Sequence, residues 1–282
     1  MKKIAILADS GCQLPIGTLE NQGIYIVPLT ITMNNKAYLD FEEISALDVF
    51  ERMNETGEII KTSQPSTGVI QAAVKRIINN GYDHIIAISI ATGLSSTLSG
   101  MKLACDMAQM PVTLIDTKGT ANNHRYLIKV AKKLIDDQKD VTEIENVLTS
   151  LIEQSATLIM TPNLTHLKKG GRITPAVAML GNLLKIVPVM KLNYELGGKI
   201  DSLDKVRTVK KANLRIIEHM VDECKVNNHD YIFAIEHVLA EELAQTMKQV
   251  LIDKIGECQI VVRELPSVVG ANWGDEGKGK IT

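Results

Sequence analysis

"DHIIAISIATGLSSTLSGMKLACDMAQMPVTLIDT", residues 83–117, decides the fold. It opens on an apolar, Ile-rich run, continues through a segment with helical spacing of apolar residues (94–109), and closes on the short apolar run "VTLIDT" (112–117). Strands that are apolar without alternation are buried on both faces, and two of them flanking a helix form a βαβ unit. Such a unit requires a parallel sheet with helices on both sides.

Reading outward, the alternation continues. "KKIAILAD" (2–9) and "YIVPLTITM" (25–33) read as strands, and "STGVIQAAVKRIINNG" (66–81) as a helix capped by Ser66 or Thr67 and stopped by Gly81. "RYLIKVAKKLIDD" (125–137) and "VTEIENVLTSLIEQ" (141–154) are amphipathic helices, and "ATLIMT" (156–161) is a further strand. The pattern then changes. "VPVMKLN" (187–193) and "GKIDSLDKV" (198–206), joined by a Gly-rich turn, form a hairpin. A helix from about 208 to 224, a strand "YIFAIEH" (231–237), a helix 241–255 and a strand 258–265 follow. The expectation is an α/β protein of two domains: a parallel, Rossmann-like sheet over 1–161 and a smaller mixed α+β domain over 162–272. The chain's 282 residues exceed what one core usually holds.

Composition narrows the function classes. A formal net charge of −2 gives no electrostatic footprint for nucleic acid. With 4% aromatics and 11 methionines, any pocket is aliphatic and adaptable. The four cysteines are scattered, as expected of free thiols, and the dispersed histidines suggest no metal site. The N-terminal apolar run is too short for a signal peptide, and none approaches a bilayer span, so a cytoplasmic protein is expected.

Ligands of open parallel sheets bind beyond the carboxyl ends of the strands. The residues there are Asp9 and Ser10, Thr62 to Ser66, Thr92 with Ser95 to Thr97, and Asp116 with Thr117. Hydroxyls dominate, with no adjacent base for nucleophilic catalysis. They are either helix N-caps, as expected of Ser66 and Thr97, or an anion cradle assisted by helix-start amides.

Six strings occur in order after "LADSG" (7–11): "KTSQPS" (61–66), "ISIATGLSSTLSG" (88–100), "LIDTKG" (114–119), "LTHLKKGGRIT" (164–174), "LLKIVPVMKL" (183–192) and "KVRTVKKA" (205–212). Together they resemble the DegV family across roughly residues 1 to 272. The resemblance implies a non-catalytic protein, without a cofactor, that buries a long-chain fatty acid between its domains. It further implies presentation of the carboxylate to the ATP-binding subunit of a fatty-acid kinase, with transient membrane contact. The carboxylate ligands it implies are Thr62, Ser63, Thr92 and Ser95, closed by Asn272. Arg172 and Arg207 become candidate phosphate or partner contacts. The family's Ser-Ser pair reads Ala91-Thr92 here, and Asn272 stands where the family has His. "AVAMLGNLLKIVPVM" (176–190) is either a core helix or part of the acyl tunnel wall.

The last stretch, "VVGANWGDEGKGKIT" (268–282), resembles the start of adenylosuccinate synthetase, whose loop Asp275 and Lys278 would match. Ile281 replaces the Ser or Thr of a phosphate loop, and no helix follows. The expectation is a tail (273–282) without nucleotide affinity, and as an alternative function a DegV-like appendage regulating a bifunctional synthetase.

Overall fold

The computed structural model describes residues 2–58, 60–161, 164, 170–180 and 186–266. Asn272, the synthetase-like tail and residues 181–185 of the apolar stretch lie outside them. The elements are β1 (Ile4–Asp9), β2 (Ile24–Val27), β3 (Thr30–Met33), β4 (Lys36–Leu39), α1 (Ala46–Thr56), β5 (Lys61–Ser63), α2 (Thr67–Asn79), β6 (His84–Ser89), α3 (Thr97–Met107), β7 (Val112–Asp116), α4 (Asn122–Asp136) and α5 (Val141–Glu153). There follow β8 (Ala156–Met160), α6 (Pro175–Leu180), β9 (Val187–Asn193), β10 (Asp201–Val206), α7 (Val209–Glu218), a π-turn (His219–Glu223), β11 (Phe233–His237), α8 (Glu241–Ile255) and β12 (Ile260–Glu264).

The parallel sheet runs β2-β1-β6-β7. Its strands send alternate residues to two cores, as a period of two dictates. Ile4, Ile6, Ile86 and Ile88 meet Leu127, Ile128, Ile144 and Leu148 of α4 and α5. Ala5, Leu7, Ile85 and Ala87 meet Ile70, Val74, Met101 and Cys105 of α2 and α3. α2 ends in a Schellman closure: Tyr82 N–H donates to Ile77 O and Gly81 N–H to Ile78 O, with Gly81 at φ 74°. Ser66 caps its start by accepting from Val69 N–H. Thr97, expected as a cap, is instead the first helical residue of α3, buried and bonded to the Ser95 hydroxyl at 2.8 Å.

Two expectations are corrected. The stretch 25–33 is two strands, because Pro28 cannot donate to a ladder. β3 leaves the parallel sheet and forms an antiparallel trio β4-β3-β5, covered by α1. β8, read as part of the first sheet, pairs antiparallel with β9 in the sheet β10-β9-β8. The chain therefore changes sheet between α5 and β8, before Thr161. An apolar run such as "TLIM" reads identically in any strand covered on both faces, so the sequence does not distinguish the two sheets. One face of β8 and β9 (Leu158, Met160, Val187, Val189) packs on α7, β11 and α8. The other (Ile159, Met190, Leu192) meets Ile90, Ala91 and Leu94 from the loop after β6, with Leu164, Val177 and Ile200. β11 and β12 pair in parallel across the α8 crossover. The Glu236 carboxylate of β11 accepts from Asn122 N–H at 2.9 Å, at the positive end of α4.

Candidate functional site

β2 and β6 flank β1 on opposite sides, so the strand order reverses between β1 and β6, and a crevice is expected at their carboxyl ends. Asp9 plugs this point from below. Its two oxygens accept from Gly11 N–H and Ile90 N–H, each at 2.9 Å. His124 Nδ1 lies 3.9 Å away, while its Nε2–H donates to Ile88 O at 2.8 Å. Both groups are fully buried. Burial pushes the Asp9 carboxyl up despite His124 and the two amide donors, and pushes the imidazole down despite Asp9. Ser10 is likewise occupied: its hydroxyl donates to Asp40 at 2.5 Å and accepts from Leu29 N–H at 3.0 Å. These polar groups fasten the first sheet to the antiparallel trio.

Above them, three stretches distant in sequence meet at Arg172. Its Nη2 donates to Thr62 O at 2.8 Å, its Nε to Leu94 O at 3.2 Å and its Nη1 to Gly170 O at 2.7 Å. One guanidinium thus holds the end of β5, the loop after β6 and the chain entering α6. None of its acceptors carries a charge, so the clasp leaves a cation un-neutralised among the described residues.

The hydroxyl candidates divide around it. Thr62 is half-buried and Ser63 exposed; as successive strand residues they leave opposite faces of β5. Neither hydroxyl has a hydrogen-bond partner among the described residues. Ser95, next to the clasped Leu94, shares a bond with Thr97, and either oxygen can donate. Thr92 is turned elsewhere: its hydroxyl and N–H both donate to Asp116, which Lys118 Nζ also pairs at 2.6 Å. A threonine proton given to Asp116 is not available to an added carboxylate. Arg207 is exposed at the far end of β10, whereas the segment beside Arg172 pairs near that strand's start through Ile173 and Ile200. About 20 Å of strand separates the two arginines, so they do not act on one atom.

Beneath the clasp lies the apolar cluster of Ile90, Leu94, Ile159, Met190 and Leu192, and Leu94 belongs to both. The loop after β6 also touches the β9–β10 turn so closely that a Cβ on Gly93 would fall inside the Gly198 carbonyl. Asp9 and Asp116 were named among the strand-end residues, but no motif announced His124 or the bonds of Arg172 to main-chain carbonyls. Among the described residues no group of side chains could hold a metal ion, and no helix is long and apolar enough to cross a membrane.

Known proteins share the sequence and the fold over nearly the whole chain. A DegV domain-containing protein of Streptococcus pneumoniae is 28% identical over 273 residues, covering 96% of this chain and 95% of its own. A fatty acid binding DegV family protein from Streptococcus agalactiae has a solved structure with a TM-score of 0.87 and 26% identity, covering 100% of this chain and 98% of that one. A DegV family protein from Thermus thermophilus, solved in a study of its fatty acid binding, gives 0.82 and 26%, with 99% and 97% covered. The model of the family itself, described as uncharacterised proteins of the DegV family, matches residues 3–279 and so runs through most of the synthetase-like stretch. With that match over nearly its whole length, the chain belongs to the DegV family.

Proposed function

We propose that this protein binds a long-chain fatty acid between its two halves and carries it in the cytoplasm without reacting with it. The observation that carries the reading is Arg172: a cation with only carbonyl partners among the described residues, holding the backbone beside the hydroxyls of Thr62 and Ser95 and over an apolar cluster. A buried carboxylate needs donors and a compensating charge, and this corner offers both. Thr62 and Ser95 are the proposed hydroxyl donors, with the uncapped start of α3 adding its dipole. Ser63 and Asn272 are secondary contacts, and Thr92 acts through Asp116 by shaping the loop. The acyl chain lies along Ile159, Met190 and Leu192, where about 0.8 kcal/mol per methylene gives roughly 10 kcal/mol before ordering losses. The two solved relatives at 26% identity, both described as binding fatty acid, support this reading. As a finer step, a fatty-acid kinase subunit receives the carboxylate, with exposed Arg207 on the docking side.

Mass spectrometry of an organic extract of the purified protein tests the cargo: a fatty acid in near-stoichiometric amount is expected. Replacing Thr62→Val and Ser95→Ala together removes two bonds to a charged group, worth about 1.5–3 kcal/mol each. Oleate affinity then falls roughly a hundredfold to ten-thousandfold, and oleyl alcohol responds much less. No lipid in the extract, together with no oleate uptake by calorimetry, sinks the proposal.

A further inference from the structure

One cluster of reactive side chains has no part in fatty-acid binding. After α7 the chain widens into the π-turn His219–Glu223, closed by a hydrogen bond from Cys224 N–H to His219 O at 2.9 Å. In a continuing α-helix, residue 224 would stand about 140° around the axis from residue 219. The π-turn stacks it over residue 219 instead, and π-turns often mark functional positions. The Cys224 sulfur consequently lies 3.5 Å from Nε2 of His219. On the other side of the ring, Nδ1–H donates to Glu223 Oε2 at 2.7 Å. Arg215 pairs with Glu223 Oε1 at 2.6 Å and with Asp204 at 2.7 Å, so the carboxylate is held on both oxygens. His219 and Arg215 keep the Glu223 carboxyl below its ordinary range.

Glu223 fixes the ring proton on Nδ1. The lone pair of the neutral ring is therefore on Nε2, facing the thiol. His219 is 6% exposed and rigidly held, whereas Cys224 is exposed. The remaining charges on this turn are engaged, Asp222 by Lys254 of α8 at 2.8 Å. The other three cysteines are less exposed. Burial pushes the Cys105 thiol up to about 11 and the Cys12 thiol higher still, and it also raises half-buried Cys258.

We propose that Cys224 is a thiol–disulfide exchange site for low-molecular-weight disulfides, with His219 as proton acceptor and Glu223 as its positioning residue. The thiol proton passes to His219 Nε2 as the sulfur attacks one sulfur of the disulfide. A protein–S–S–R bond forms and the R–S–S–R bond breaks. The departing thiolate takes the proton from the imidazolium, so one thiol is consumed and one released. Exposure suits a small partner, and the general-base arrangement is that of an activated nucleophile.

The test uses the full chain with dithiodipyridine, following each cysteine by peptide mass spectrometry. Cys224 should react faster than Cys258, while Cys12 and Cys105 stay unmodified. His219→Gln should slow Cys224 about tenfold at neutral pH and leave Cys258 unchanged. It should also convert a rate that levels off with rising pH into one that keeps climbing. Glu223→Gln, which keeps the imidazole but loosens it, should fall between. If the first variant unfolds, Cys12 and Cys105 become reactive and the second variant decides. A Cys224 rate unchanged in the folded variants, or no greater than that of Cys258, overturns the proposal.

Discussion

Gly93→Ala probes how the halves are held together. The residue sits in the loop after β6, and its φ is not in the left-handed region, so alanine meets no backbone penalty there. The obstacle is contact. A Cβ at position 93 would penetrate the carbonyl of Gly198 and lie 2.8 Å from Lys199 N, where ordinary contact begins at 3.4 Å. Both neighbours are backbone, so no side chain can rotate away. The β9–β10 turn must retreat by on the order of 1 Å, and overpacking of that kind costs about 1–3 kcal/mol. Against this stands a gain of about 0.4–1 kcal/mol, because alanine restricts the unfolded chain. The net loss is about 1–2 kcal/mol, or a drop of roughly 2–6 °C in melting temperature for a chain of this size. Gly81→Ala, at the end of α2, is the matched control: its φ of 74° strains an alanine, but a Cβ there touches nothing within 4 Å. It should destabilise by about 1 kcal/mol without disturbing the contact between the loop after β6 and the β9–β10 turn. Thermal unfolding and oleate titration of both variants separate the effects, since only Gly93→Ala should weaken binding as well as stability. A Gly93→Ala protein as stable as the parent, with unchanged oleate affinity, would show that the loop and the turn do not meet as described.

Three further outcomes are expected. Arg172→Gln should lose about 1.5–3 kcal/mol of stability and most oleate affinity, and Arg172→Lys should recover little because one ammonium cannot span three carbonyls; urea unfolding and calorimetry check both. His84 and His124 are both held below their ordinary range by burial, so the unfolded chain takes up protons that the folded chain refuses. The two histidines thus contribute a fall in stability as pH drops from about 7 to about 5, opposed by the raised Asp9 carboxyl, and His124→Gln should remove the larger share of that contribution in a chemical-denaturation series. Ser66→Ala removes the bond accepted from Val69 N–H and should cost about 1 kcal/mol, measured by the urea midpoint.

The parallel sheet was legible because β1 and β6 are buried on both faces and therefore apolar throughout. The hairpin of β9 and β10 announced itself through Gly197 and Gly198, both at positive φ. The trio β4-β3-β5 was not legible: β5 is the polar "KTS", and nothing in three residues distinguishes a strand from the loop it ends. The hydroxyls at 92 and 95 were legible as strand-end residues of the parallel sheet, whereas those at 62 and 63 lie within β5 of the antiparallel trio. The orientation of Thr92 was not legible, since its bond to Asp116 spans 24 residues and leaves no local pattern. Likewise, no composition signals a π-turn, which moves Cys224 onto His219 by adding one residue to a turn.

The acceptors of Arg172 are all main-chain carbonyls, and this has an evolutionary consequence. Every residue type carries that oxygen, so substitutions at positions 62, 94 and 170 leave the acceptors in place. Descendants can exchange the hydroxyl at 62 or the aliphatic group at 94 while the two halves stay fastened. Preference among cargoes is then free to drift, whereas the arginine itself has no equivalent to drift to.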